Sequence, residues 1–156
     1  MDLEKLIHFF DFENCDYYYH ITGKGIGEMI IEEGLLVDGT NILDTDNLKD
    51  TTTIEITPEM VSTYEEISAL VEEEIDNPLL RDTSEMVIIG SPKEAKKHIV
   101  HDYDKIKEEH YFQGIISSHN IMGYIDENHI FNPNSNYEYG NEAFESCFYD
   151  SIGISY

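Results

Sequence analysis

Three consecutive tyrosines lead into His20-Ile21-Thr22, then a glycine loop and the segment Ile26 to Leu36. No other stretch constrains the fold of this chain as strongly. Aromatic side chains favour a pleated, packed backbone, so Tyr17-Tyr18-Tyr19-His20 predicts a strand. Ile26, Met29, Ile30 and Glu33 then recur on successive helical turns, which predicts a helix over 25–33. Gly34 suits the position just past a helix end, where a left-handed backbone is common. The chain therefore delivers a histidine and a hydroxyl to the mouth of a glycine loop, a geometry suited to the edge of a binding site.

The charge pulls elsewhere. Thirty-three Asp and Glu face nine Lys and Arg in 156 residues, a formal net charge of −24. From Glu108 to Tyr156 there is no Lys or Arg. Phosphate binding runs on Lys and Arg, so direct nucleic-acid binding is disfavoured, as is an anionic membrane surface. A protein partner with a basic surface is favoured by long-range steering. The competing reading is a solubilising surface with no partner. With 40% hydrophobic and 12% aromatic residues the chain has the material for a core, and its length predicts one domain over 1–156. No run approaches the ~18 apolar residues of a membrane helix. The acidic start Met1-Asp2-Leu3-Glu4-Lys5 predicts no secretory signal. Cys15 and Cys147 match no metal spacing and predict reduced thiols in a cytoplasmic protein.

Further elements follow from local pattern. Leu3, Leu6, Ile7, Phe9 and Phe10 predict a short helix within 2–12. Residues 37–53 are polar and predict a loop. Ile54-Glu55-Ile56 predicts a strand. Thr57 as a cap with Pro58 at the first helical position predicts a helix over 58–76, with Met60, Val61, Tyr64, Ile67, Leu70, Val71 and Ile75 on one face. The opposite face carries Glu65, Glu66, Glu72, Glu73 and Glu74. Met86-Val87-Ile88-Ile89 predicts a buried strand broken by Gly90, and Ser91-Pro92-Lys93-Glu94 predicts a helix from 92 through Ile99. Asp82-Thr83-Ser84-Glu85 reads as a turn. Tyr111 to Ile116 and Ile121 to Ile125 predict strands, 132–136 a turn, and Phe144, Phe148 and Tyr149 an aromatic tail docked on the body. The sum is an α+β domain of about four helices and short, mainly antiparallel, curved strands.

The stretch Tyr19-His20-Ile21-Thr22, its glycine loop and the helix ending at Glu33-Gly34-Leu35 resemble the opening of the ADP-ribosyltransferase-like superfamily, which includes poly-ADP-ribose polymerases, diphtheria-type toxins and RNA 2′-phosphotransferases. Met86 to Ile89 and the later segments Tyr111 to Ile116 and Ile121 to Ile125 extend the likeness over residues 17–126. The resemblance implies an NAD pocket and transfer of ADP-ribose to a macromolecule. It implies that the Ile21 backbone pairs with the nicotinamide carboxamide, that His20 bonds the adenosine ribose, and that Thr22 supports the loop. It implies a glutamate that steadies an oxocarbenium-like transition state; Glu108 or Glu109, just before His110-Tyr111-Phe112, is the nearest match. The sequence departs from the family at this motif and in the stacking ring, for which Tyr64, Tyr103 and Tyr111 are alternatives. The residues alone also admit a plain hydrogen-bonded His20 at a strand end, and Glu108 and Glu109 as a solvated helix end.

Weaker constellations complete the reading. Lys24, in Gly23-Lys24-Gly25-Ile26-Gly27, would meet a nucleotide phosphate beside a helix N-terminus, although the glycine spacing fits no dinucleotide fingerprint. His98 and His101, with Asp102 and His110, have a spacing that metal ligands use. Two function classes therefore stand: an NAD-binding ADP-ribosyltransferase-like domain, or a non-catalytic acidic protein that occupies a basic groove of a nucleic-acid-handling protein.

Overall fold

The computed structural model describes residues 1–36, 52–76, 83–93, 99–100, 109–112, 115–140 and 144. Helix α1 (Leu3–Leu6) starts on Asp2, whose carboxylate accepts from the Lys5 amide at 2.9 Å, and runs on into a 3-10 turn, Ile7–Phe9. Strand β1 (Cys15–Gly23) follows, then α2 (Ile26–Glu33), β2 (Leu35–Leu36) and β3 (Thr52–Ile56). After a 3-10 turn comes α3 (Tyr64–Ile75), then β4 (Thr83–Pro92), β5 (Ile99–Val100), β6 (Glu109–Phe112), β7 (Ile115–Ile116), β8 (Ile121–Ile125) and β9 (Phe131–Pro133). The fold is α+β. Seven strands form one sheet in the order β5-β6-β3-β1-β4-β8-β9, antiparallel throughout, and β2 pairs with β7 apart from it.

Alternation along β1 divides the core into two layers. Tyr17 and Tyr19 face one side with Met86 and Ile88 of β4, and that side is closed by Leu3, Leu6 and Phe9 and by Ile67, Val71 and Ile75 of α3. Tyr18 faces the other side with Val87, Ile89 and Ile121, under Ile30 of α2. Buried on both faces, β1 and β4 are the apolar centre of the sheet.

One irregularity preserves this division. Met122 and Gly123 together oppose Ile88, a β-bulge that keeps Ile121 and Tyr124 on the α2 side and Ile125 on the α3 side. Gly123 has a φ of 155°, and a Cβ there would meet the Asn132 carbonyl oxygen and the Phe131 ring. The buried Asn134 then fastens the chain after β9, donating to the carbonyls of Ser118 and Ile121 at 2.8 Å each and accepting from the Asn136 amide at 3.1 Å.

Three segments depart from expectation. Gly90 does not end its strand: β4 continues to Pro92, with Gly90 opposite Tyr17 and Ser91 opposite Asp16. A Cβ on Gly90 would strike the Tyr137 hydroxyl and lie 3.0 Å from the Tyr17 ring, so glycine here admits two tyrosines rather than breaking the strand. Pro92 does not open a helix but closes β4, because Ser91 and Pro92 are held in pairing with β1; Lys93 starts a 3-10 turn, residues 94–98 lie outside the described set, and Ile99–Val100 is strand. The helix expected from 58 divides in two. Thr57 caps only a 3-10 turn, Pro58–Val61, and α3 restarts on Thr63, whose hydroxyl accepts from the Glu66 amide at 3.2 Å. A second capping hydroxyl six residues on stops the first turn from propagating. Asn132 and Pro133 lie in β9, so the expected turn over 132–136 is confined to its last residues. The docked tail holds for the buried Phe144, whereas Phe148 and Tyr149 lie outside the described residues, as do 37–51 of the expected loop.

Candidate functional site

The predicted site residues sit at one end of β1 but not on one face. His20 is opposite Val87 of β4, at 4% exposure, on the side that α2 covers. Ile21, opposite Met86, packs on the α3 side. Thr22, half-buried, returns to the α2 side opposite Glu85. Lys24 is exposed, and its Nζ forms an ion pair with Glu127 Oε1 at 2.8 Å, which raises the affinity of the amine for its proton. The loop lysine thus sits in a solvent-exposed pair with a carboxylate of the β8–β9 turn, a contact worth little by itself.

Register separates the expected glutamate from the histidine. Position 109 of β6 pairs with Ile54 of β3, and Ile54 pairs with Tyr19. Opposed residues in an antiparallel pair share a face, so position 109 belongs to the face of Tyr19, opposite that of His20. It is also two strands away from β1. Glu108 and Tyr103 lie outside the described residues, as do His98, His101 and Asp102. Tyr64 is half exposed on the first turn of α3, remote from β1 in the chain and directed to solvent. A hollow of about 190 Å³ is lined by Phe12, Asp16, Glu55 and Lys93 among others. It lies at the start of β1, some four residues or ~13 Å along the strand from His20. It is also smaller than the ~300 Å³ at which small-ligand pockets begin.

Asp16 and Glu55 share the His20 face toward the start of β1, and the carboxylate on that face at the His20–Thr22 end is Glu85. It is buried, and its Oε1 accepts the Gly27 amide at 2.8 Å in the first turn of α2. Gly25 precedes that helix with a φ of 83° and offers no side-chain cap, so Glu85 supplies the missing acceptor from across the sheet. A negative group at a helix N-terminus is also favoured by the helix dipole. Tyr124 closes over the same spot. A Cβ on Gly27 would lie 2.7 Å from its ring, and burial, then Glu85, Glu28 and Asp126, push its phenol upward. Sequence reading missed Glu85 by taking 82–85 as a turn. The available signal was alternation: Glu85, Val87 and Ile89 share one side of the strand.

A second candidate surface is α3. Ile67, Val71 and Ile75 are buried, while Glu65, Glu66, Glu72, Glu73 and Asp76 are exposed. Glu74 is half-buried at the margin and hydrogen-bonded to the Tyr19 hydroxyl. Burial, with a smaller contribution from Glu73, raises its carboxyl above the ordinary value of 4.5, against the opposing pull of the tyrosine bond. Among the described residues no group of three or more His, Cys, Asp and Glu is arranged to hold a metal ion, and no helix is long and apolar enough to cross a membrane. No protein-family model matches the chain, no curated protein matches it, and no solved structure does.

Two outcomes follow. Removing the tertiary cap by Glu85→Ala costs about 1–3 kcal/mol, because a buried amide is left without its acceptor. Glu85→Gln keeps an acceptor and loses less; urea unfolding and exchange of the Gly27 amide proton check both. The second concerns pH. A carboxyl raised in the folded state binds its proton more tightly there than in the unfolded chain, so its ionisation opposes folding as pH rises above about 4.5. Glu74→Gln therefore raises the urea midpoint at neutral pH, and its advantage over the parent shrinks as pH falls through the carboxylate range.

Proposed function

We propose that this protein is a non-catalytic acidic binding protein that occupies a basic groove of a nucleic-acid-handling protein, in the manner of a nucleic-acid mimic. The observation that carries the reading is the outer face of α3. Four exposed carboxylates, Glu65, Glu66, Glu72 and Glu73, stand on one continuous helical stretch that contains no Lys or Arg; a fifth, Asp76 at its C-cap, lies 3.0 Å from His129 Nε2. At ~1.5 Å of rise per residue the five span about 16 Å, in two groups, Glu65–Glu66 and Glu72–Glu73–Asp76, separated by a rise of about 9 Å. The helix is anchored by three buried aliphatic residues, so the charges are fixed relative to the sheet and not scattered along a tail. That preorganisation reduces what a partner loses in ordering the surface on binding.

A second reading is the ADP-ribosyltransferase-like domain that binds NAD. What favours it is that His20 and Thr22 share a face with a carboxylate, Glu85, beside the N-terminus of α2. What weighs against it is that His20 is buried and that Glu85 already accepts the Gly27 amide at the α2 N-terminus.

The acidic reading is tested with the variant Glu65→Gln/Glu66→Gln/Glu72→Gln/Glu73→Gln. Proteins captured from the host extract at low ionic strength, and released by added salt or duplex DNA, provide the partner. With that purified partner the variant associates about tenfold or more slowly than the parent, and the difference closes as salt screens it. Equal association rates for the two forms at low salt would contradict the reading.

A further inference from the structure

Helix α2 carries an apolar step on its solvent side that the core does not use. Ile30 and Gly27 are buried against the sheet, whereas Ile26 is 40% and Met29 54% exposed. Residues three apart on a helix are neighbours, so Ile26 and Met29 form one contiguous surface. Glu28 and Glu32 border it on one flank and Glu33 beyond Met29, all exposed, and α2 has no basic residue in its last turn. Single exposed hydrophobics need no explanation, but an adjacent pair set in the acidic rim of a helix defines the chemistry of what covers it. Methionine adapts its shape to different apolar partners.

We infer that the outer face of α2 is a docking surface for an amphipathic helix of a protein partner, with apolar residues seated on Ile26 and Met29 and Lys or Arg flanking them against Glu28, Glu32 and Glu33. The occupant follows from charge complementarity: a neutral or acidic segment would leave three carboxylates facing no counter-charge, while a purely basic segment would leave the apolar step uncovered. The inference rests on the acidic binding reading and adds an apolar anchor to it, on the opposite side of the sheet from α3. Charge governs how fast a partner arrives, and a buried apolar anchor governs how long it stays.

The probes are two fluorescein-labelled synthetic peptides of identical Leu, Lys and Ala content. One places its leucines at helical spacing i, i+3, i+4 and i+7, and the other has a scrambled order. Fluorescence anisotropy at physiological salt reads their affinities, and the Met29 methyl signal reads the location. The full chain binds the amphipathic peptide about tenfold more tightly than the scrambled one, with the Met29 methyl shifting on titration. Ile26→Ala/Met29→Ala removes that ratio; alanine is the best helix former, so α2 persists, and an unchanged urea midpoint verifies it. The quadruple glutamine variant of α3 leaves the ratio intact. Equal binding of both peptides that tracks the α3 glutamates overturns the docking face while leaving the acidic reading standing. A ratio that survives in the alanine variant also overturns it, and failure of both peptides to bind at any salt overturns the two together.

Discussion

Everything in this structure is referred to β1, a strand buried on both faces and paired along its whole length with β4. Nine residues from Cys15 to Gly23 have partners in β4, while Tyr17 to Tyr19 pair on the other edge with β3. Burying three tyrosines in succession requires a layer on each side, because alternate residues point in opposite directions. The N-terminal helix and α3 supply one layer, and α2 the other. The tyrosine hydroxyls follow the same demand: Tyr17 accepts from the Asp11 amide at 2.8 Å, and Tyr19 reaches Glu74. The −24 charge is thereby pushed outward onto helices whose inner faces are already committed.

The local and the periodic features were legible in the sequence. The strand through His20, α2 and its stop at Gly34, the apolar stripe of α3 and the buried run 86–89 all rest on neighbours in the chain. Non-local pairing was not legible. Ser91-Pro92-Lys93-Glu94 has the composition of a helix start, yet Ser91 and Pro92 are held by Asp16 and Cys15, more than seventy residues earlier. Gly90 looked like a break because its purpose, room for Tyr137, lies almost fifty residues away. Glu85 looked like a turn residue because its partner is an amide on α2. The two-layer arrangement that buries His20 is of the same kind: alternation places His20 opposite Tyr19, but only the return of α2 over that side closes it.

The candidate site illustrates how one motif admits two uses. A His-x-Thr at a strand end beside a helix N-terminus is a sensible ribose and phosphate edge. The same elements close on themselves here, with Glu85 taking the Gly27 amide that an anion would take. Among the described residues, α3 presents exposed carboxylates and α2 a charged rim with an apolar step. In the reading we propose, such a surface selects a partner by steering and by burial of a small apolar anchor.

The most direct test of this account is an amide and histidine NMR titration with NAD⁺. The account predicts that His20, Ile21 and Thr22 keep their resonances up to millimolar NAD⁺, since His20 is packed under α2 and the neighbouring amide is engaged. Saturable shifts centred on His20 and Thr22, with or without nicotinamide release, would contradict it and return the chain to the ADP-ribosyltransferase-like reading.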